Sequence, residues 1–285
     1  MSFQYKYLIP YKEVAYLQEQ IKPFTQLTSL AATDPTGDMT VRNIYFDTPN
    51  FDLFSRKREK LVNRKNVILR AYNLDENKVF LETFRQNEEI SLKTKATVPY
   101  DRVKMMFKGE IYTNEFLWNI KKKEAASRFF FQIHRFHLRP VLKIVNERIP
   151  YKSIIPDKEN DFKMVIQRHI RCSAFPTIDS LFEEEKMTSA RPNVALLIVK
   201  YNRSCPAWLK PILAELNFTQ GRLSKYRLCM EALPEINTQS QVQGLMKGHF
   251  FTQNAPRDNG VGAKIDLLQN FNPIIPDYKL KPQDI

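Results

Sequence analysis

Glycine is scarce, with only seven in 285 residues, and neither a GxGxxG run nor a GxxxxGK run followed by Ser or Thr occurs. The glycine-rich backbone cradles that hold phosphate are therefore excluded, and any phosphate bound here must be held by side chains. Cysteine is sparser still. Cys172, Cys205 and Cys229 are odd in number and lack CxxC spacing, which speaks against a disulfide framework or zinc cluster and for buried free thiols. Nowhere does an apolar run approach the roughly 18 to 20 residues that cross a bilayer. The opening Met1-Ser2-Phe3-Gln4-Tyr5-Lys6 also lacks the apolar stretch of a secretory signal. A cytoplasmic protein is the expectation.

Apolar material for a core is ample: hydrophobic residues make up 43% and aromatics 12%, with 20 Phe and 12 Tyr. Charged residues, at 26%, match an ordinary globular protein. The charge is unbalanced, since 44 Lys and Arg face 31 Asp and Glu, a net +13. Such an excess favours anionic partners: phosphate compounds, nucleic acid or acidic membrane surfaces.

Residues 3–10 alternate and end at a proline, as a strand does, and Val14, Leu17 and Ile21 then mark one face of a helix. Residues 33–38 read as a loop, and 41–47 as a second strand closed by Thr48-Pro49-Asn50. Three β-like segments, 66–72, 78–85 and 90–98, are separated by connections short enough to imply antiparallel hairpins. A helical insert follows between 100 and 131, then β-like runs at 140–149, 162–170 and 194–201. Helical periods return at 206–216 and 223–233. About eight mostly antiparallel strands suffice to close a barrel. Residues 1–234 form the expected folded domain, and 235–285 an extended, weakly structured tail with a short helix near 263–269.

Side chains at i and i+2 share a strand face. Lys93 lies with Lys95, Arg70 with Ile68 and Tyr72, Lys200 with Ile198, Lys163 with Val165 and Gln167, and Lys6 with Gln4. A mid-strand cation is ordinarily a solvated outer-face residue. The alternative is that these faces converge inside a barrel as a basic tunnel for a polyanion.

The ordered pieces Tyr5-Lys6-Tyr7-Leu8-Ile9-Pro10, Thr40-Val41-Arg42-Asn43-Ile44-Tyr45-Phe46-Asp47-Thr48-Pro49, Leu69-Arg70-Ala71-Tyr72-Asn73, Val79-Phe80-Leu81-Glu82, Leu138-Arg139-Pro140, Pro206-Ala207-Trp208-Leu209 and Leu223-Ser224-Lys225-Tyr226 resemble the VTC domain. That is the polyphosphate polymerase family of the CYTH, or triphosphate tunnel, superfamily. The resemblance implies an α+β fold, an eight-stranded antiparallel β-barrel tunnel with peripheral helices. It implies transfer of the ATP γ-phosphate to a polyphosphate chain, a metal-dependent phosphotransfer with Mg²⁺ or Mn²⁺. Lys6, Lys57, Arg70, Lys93, Lys95, Arg148 and Lys225 fall where the family grips phosphate, and Lys60, Arg85, Arg139 and Lys200 are nearby basic candidates. Glu82 is the acid placed to hold metal. The implied partners are ATP or inorganic polyphosphate and a membrane protein.

Several charged positions depart from that pattern. Gln4 and Tyr5 replace an acid and a base, Ile68 stands for an Arg, Phe84 for a Lys, Gln167 for an Asp, and Ile198 for a metal-binding Glu. Magnesium is held by one or two carboxylates together with phosphates and water, so these losses weaken its site. The alternative function is a catalytically degenerate polyanion-binding or scaffold module of the same fold. Other chemistry finds less support. His134 and His137 lack a third ligand of suitable spacing, and no base-stacking motif accompanies Lys121-Lys122-Lys123 or Arg56-Lys57-Arg58. Nucleic acid is accordingly not an expected partner.

Overall fold

The computed structural model describes residues 3–28, 37–54, 64–73, 75, 77–87, 90–154, 162–202, 204–216, 219–220 and 224–236. The strands are β1 (Phe3–Pro10), β2 (Thr25–Leu27), β3 (Met39–Asp47), β4 (Arg64–Tyr72), β5 (Val79–Asn87), β6 (Ile90–Val98), β7 (Arg139–Ser153), β8 (Phe162–Ala174), β9 (Thr188–Ser189), β10 (Val194–Tyr201) and β11 (Thr219–Gln220). The helices are α1 (Glu13–Ile21), α2 (Tyr100–Lys108), α3 (Thr113–Leu117), α4 (Lys123–Arg135), α5 (Leu209–Glu215) and α6 (Lys225–Ala232). The tail beyond 236, with its expected short helix, lies outside the described residues.

One antiparallel sheet runs in the order β11-β1-β10-β8-β7-β3-β4-β5-β6, with β2 added to β7 and β9 to β8. The α+β class with peripheral helices is therefore observed, but the closed eight-stranded barrel is corrected on both counts. The sheet has eleven strands, and its two ends, β6 and β11, do not pair among the described residues. β11 occupies the outer edge of β1, setting Gln220 opposite Tyr7 and Thr219 opposite Leu8. A strand closing the sheet would need that same edge for its hydrogen bonds. The added strands β2, β9 and β11 have only two or three residues each, too few to show alternation in sequence.

Alternation along the long strands divides their side chains between two faces. On β3, Ile44 and Phe46 point to one side, where they join Leu69, Leu81 and Ala96 in a core shared with α2, α3 and α4. The insert forms these helices because its apolar residues recur at helical spacing: Ala126, Phe129, Phe130 and Ile133 are the buried positions of α4. Gly109 ends α2 in the left-handed conformation (φ 75°), its N–H donating to the carbonyls of Met105 and Met106. Over the β1–β10–β8 half of the sheet, Ile9, Met164, Ile166 and Leu197 pack with Val14, Leu17 and Ile21 of α1 and with Leu209 and Ile212 of α5.

On the opposite face, α6 packs against the sheet. Tyr45, Ile68 and Leu196 meet Tyr226, Cys229 and Met230 of α6. All three cysteines are free, and Cys172 and Cys229 are buried, as the sequence suggested. No helix among the described residues is long and apolar enough to cross a membrane.

Phe129 is fully buried and meets Phe46 edge-on at 5.5 Å and Phe130 at 5.4 Å. Phe129→Ala should destabilise the fold by about 3–5 kcal/mol in denaturant unfolding. Phe131→Ala on the same helix, where the ring is 57% exposed, should change stability by less than about 0.5 kcal/mol.

Candidate functional site

Residues directly opposite each other on neighbouring strands share a face, so the register builds the site. Glu82 on β5 stands opposite Ile68 on β4 and Lys95 on β6, while Phe84 stands opposite Lys93. Arg70 is opposite Asn43 and Phe80. These positions gather around Glu82, whose carboxylate is only 4% exposed. The Arg70 guanidinium lies 2.9 Å from Glu82 Oε2 and 3.2 Å from Oε1. Lys93 Nζ is 3.3 Å and Lys95 Nζ 4.0 Å from the same carboxylate. Lys95 also lies over the Phe80 ring at 3.7 Å, a cation–π contact. The remaining nitrogen geometry of Arg70 is fixed by Nε donating to Asn43 Oδ1 at 2.7 Å.

The other half of the sheet presents the same face. Arg148 on β7 is opposite Gln167 on β8, and Lys6 on β1 is opposite Ile198 on β10. Lys200 is opposite Gln4 and Lys163. The sheet curls, bringing elements far apart in its order into electrostatic reach. Lys200 is held below the ordinary lysine range first by desolvation, then by Arg148, Lys93 and Lys163. Of these, Lys93 comes from β6 at the far end of the sheet.

Helix α6 closes over this face through two anchors. Tyr226 Oη donates to Asp47 Oδ2 at 2.7 Å, and its ring stacks on Tyr45 at 4.9 Å. Asp47 also accepts the backbone N–H groups of Thr48, Leu53 and Phe54. Burial raises its pKa, against the pull of these hydrogen bonds. The second anchor is Lys225, whose Nζ donates to Asn146 Oδ1 at 2.6 Å. Desolvation, with Arg70 and Arg148 adding repulsion, pushes the Lys225 amine down to about 7.

Burial also lowers the Arg148 pKa. Its Nε and the Gln167 Oε1 are buried without a hydrogen-bond partner among the described residues. The two residues are register neighbours, a donor and an acceptor left for water or a ligand.

The structure thus brings together Lys6, Arg70, Glu82, Lys93, Lys95, Arg148, Lys200 and Lys225 of the residues expected from sequence. Two basic candidates stand apart. Arg85 is three positions from Glu82 and so takes the opposite face of β5, where it pairs in register with Lys65 and Leu92. Arg139 occupies the first position of β7, its guanidinium 6.0 Å from the Phe175 ring. Lys57 and Lys60 lie outside the described residues. Sequence reading overlooked Asn43, Asn146 and Asp47, the acceptors that seat Arg70, Lys225 and Tyr226. Asn43 and Asp47 were findable, since both share the face of Tyr45 by i±2 spacing.

The departures from the family pattern lie on this same face. Ile198 packs against the cluster containing Ile68, Leu196 and Tyr226, and Gln167 is buried beside Arg148. A hard divalent ion seeks several oxygen ligands. Among the described residues Glu82 is the acid that these cations face, its oxygens meeting Arg70, Lys93 and Lys95. No group of three or more His, Cys, Asp or Glu is placed to hold a metal among the described residues. Among the described residues, this donor set does not fit Mg²⁺ or Mn²⁺.

The chain belongs to the VTC domain family, whose model matches residues 2–234. A search of curated proteins gives no match. Among solved structures, the chain is similar to the PH1819 protein of Pyrococcus horikoshii OT3, at 13% identity and a TM-score of 0.42 over 81% of this chain and 99% of that one. It is also similar to a proposed adenylate cyclase of Bacillus halodurans, at 12% identity and a TM-score of 0.43 over 79% of this chain and 94% of the other.

Lys225 supplies a pH test. Its folded pKa of about 7 lies below the ordinary 10.5, so between those values the native chain binds fewer protons than the unfolded chain. The penalty is fully present below pH about 7 and is relieved as pH rises toward 10.5. Unfolding free energy should therefore climb from about pH 7 to about pH 9, and Lys225→Met should flatten that climb in denaturant titrations.

Proposed function

We propose that this protein is a polyanion-binding module that holds inorganic oligophosphate, or the triphosphate of ATP, on the inner face of its curled sheet. One observation carries the reading: Lys6, Arg70, Lys93, Lys95, Arg148, Lys200 and Lys225 share that face with Glu82 as the acid among them. A phosphate chain carries about one negative charge per unit, so a row of cations matches it along its length. The two kinds of cation act differently. Arg70 and Arg148 offer planar forks that can grip two oxygens at once, whereas the lysines are mobile point charges. The orphaned Arg148 Nε supports the reading, as a donor without a partner among the described residues.

A second reading, metal-dependent polyphosphate polymerase, is favoured by membership of the VTC domain family. In phosphoryl transfer the protein mainly positions the reactants and neutralises charge on the transferred group. Arg70, Arg148 and the lysines would perform that part. The donor set around Glu82 does not supply a metal site, so no step is assigned to one.

Calorimetry with tripolyphosphate tests the binding reading. Binding should be measurable, should weaken as salt screens the cations, and should fall at least about tenfold in Arg148→Ala, the loss of a charge-assisted contact. Absence of binding would overturn the proposal. Incubation with ATP and manganese separates the readings: growth of a phosphate chain would establish the polymerase, whereas binding without product sustains the module.

A further inference from the structure

Glu82 is buried on the inner face and has no role in gripping phosphate, yet it contacts the groups best placed to do so. Its two oxygens face the Arg70 guanidinium at 2.9 and 3.2 Å, Lys93 at 3.3 Å and Lys95 at 4.0 Å. The carboxylate is nearly inaccessible, while the Lys93 and Lys95 side chains are 54% and 38% exposed. The lysines can therefore swing away from it toward a ligand at little cost. Arg70 is more constrained, being fixed through Nε to Asn43, but its fork is turned to the same side.

Resting on the oligophosphate reading above, we propose that the ligand is taken free of divalent metal, and that Glu82 is an internal counter-anion which the phosphates displace from Lys93, Lys95 and part of Arg70. Two physical arguments converge on this. A divalent ion placed at Glu82 would have to evict Arg70 or Lys93 and would add charge to a face already crowded with cations. Lys200, for instance, sits among Arg148, Lys93 and Lys163. Metal bound to the ligand instead removes two of its negative charges, weakening its attraction to the same cations. Gln167 and Ile198 add no carboxylate that would reverse the balance, since one is a neutral amide and the other is packed in the apolar cluster. In the ligand-free protein, Glu82 offsets the repulsion among Arg70, Lys93 and Lys95, and the incoming phosphates take over that task.

The test is calorimetric titration with tripolyphosphate in metal-stripped buffer and again with excess Mg²⁺ at matched ionic strength. Binding should be tightest without metal and should weaken with Mg²⁺ in step with the fraction of ligand complexed. In Glu82→Gln, which keeps a hydrogen-bond acceptor for Arg70, affinity for the metal-free ligand should rise about three- to tenfold, because a competing anion has been removed. A thermal melt verifies that this variant is folded; if it is not, the metal titration of the unaltered protein decides alone. Binding that requires Mg²⁺, or an unchanged or lowered affinity in folded Glu82→Gln, would overturn the inference while leaving oligophosphate binding in place. Absence of binding under both conditions would instead overturn the oligophosphate reading itself.

Discussion

Repulsion among cations gathered on one face of a curled sheet is the constraint to which the rest of this structure answers. Two positive charges a few ångströms apart in a partly desolvated space cost several kcal/mol unless something lowers the local potential. The protein meets this with a small number of placed acceptors. Glu82 faces Arg70, Lys93 and Lys95, Asn43 accepts from Arg70, and Asn146 accepts from Lys225. Where acceptors run short, the response is chemical, and Lys225 loses its proton near neutral pH. The arrangement is costly to an empty fold and favourable to a bound polyanion, which is the relation expected of a binding surface.

Stability is built elsewhere. The outward sides of the strands hold two apolar clusters, one under α2, α3 and α4 and the other under α1 and α5. Because side chains alternate, substitutions on the inner face leave these clusters untouched. Ile68 and Ile198, standing at positions where the family pattern has charge, pack with Tyr45, Leu196 and Tyr226 beneath α6. Exchanging a buried ionic group for an apolar one of similar size is often neutral or stabilising. The inner face can thus lose metal-holding carboxylates and individual cations without endangering the fold.

The long strands were legible because their alternation is regular, and the hairpins β4–β5–β6 because their connections are short. The helical insert was visible from the spacing of Val103, Met106 and Phe107 and then of Phe116, Leu117 and Ile120. Strands β2, β9 and β11 escaped because two or three residues carry no period. Closure was misjudged for the same reason, since β11 takes the edge of β1 at Tyr7 and Leu8, a pairing between distant segments that leaves no local mark. Within the site, strand parity put Lys93 with Lys95 and Arg70 with Ile68 and Tyr72, while the place of Glu82 came from the family resemblance. Arg85 violates that parity and could have been set aside on sequence grounds. Asn146, lacking charge, gave no signal until its partner Lys225 was fixed in space.

The attachment of α6 links the two halves of this design. Asp47 ends β3 and accepts three backbone N–H groups from the following turn and the Tyr226 hydroxyl. One buried carboxylate thus sets both the exit of a central strand and the position of a helix remote in sequence. The residue before Tyr226 is Lys225, and adjacency along the helix start leaves it little freedom once Tyr226 is seated on Tyr45. The lysine is therefore held among Arg70 and Arg148 by the seating of its neighbour as well as by its own bond to Asn146. Its desolvation follows from this seating, and so does its readiness to regain a proton when a polyanion lowers the local potential. An apolar stack and a buried hydrogen bond, neither able to touch phosphate, fix where the positive charge on this face can appear.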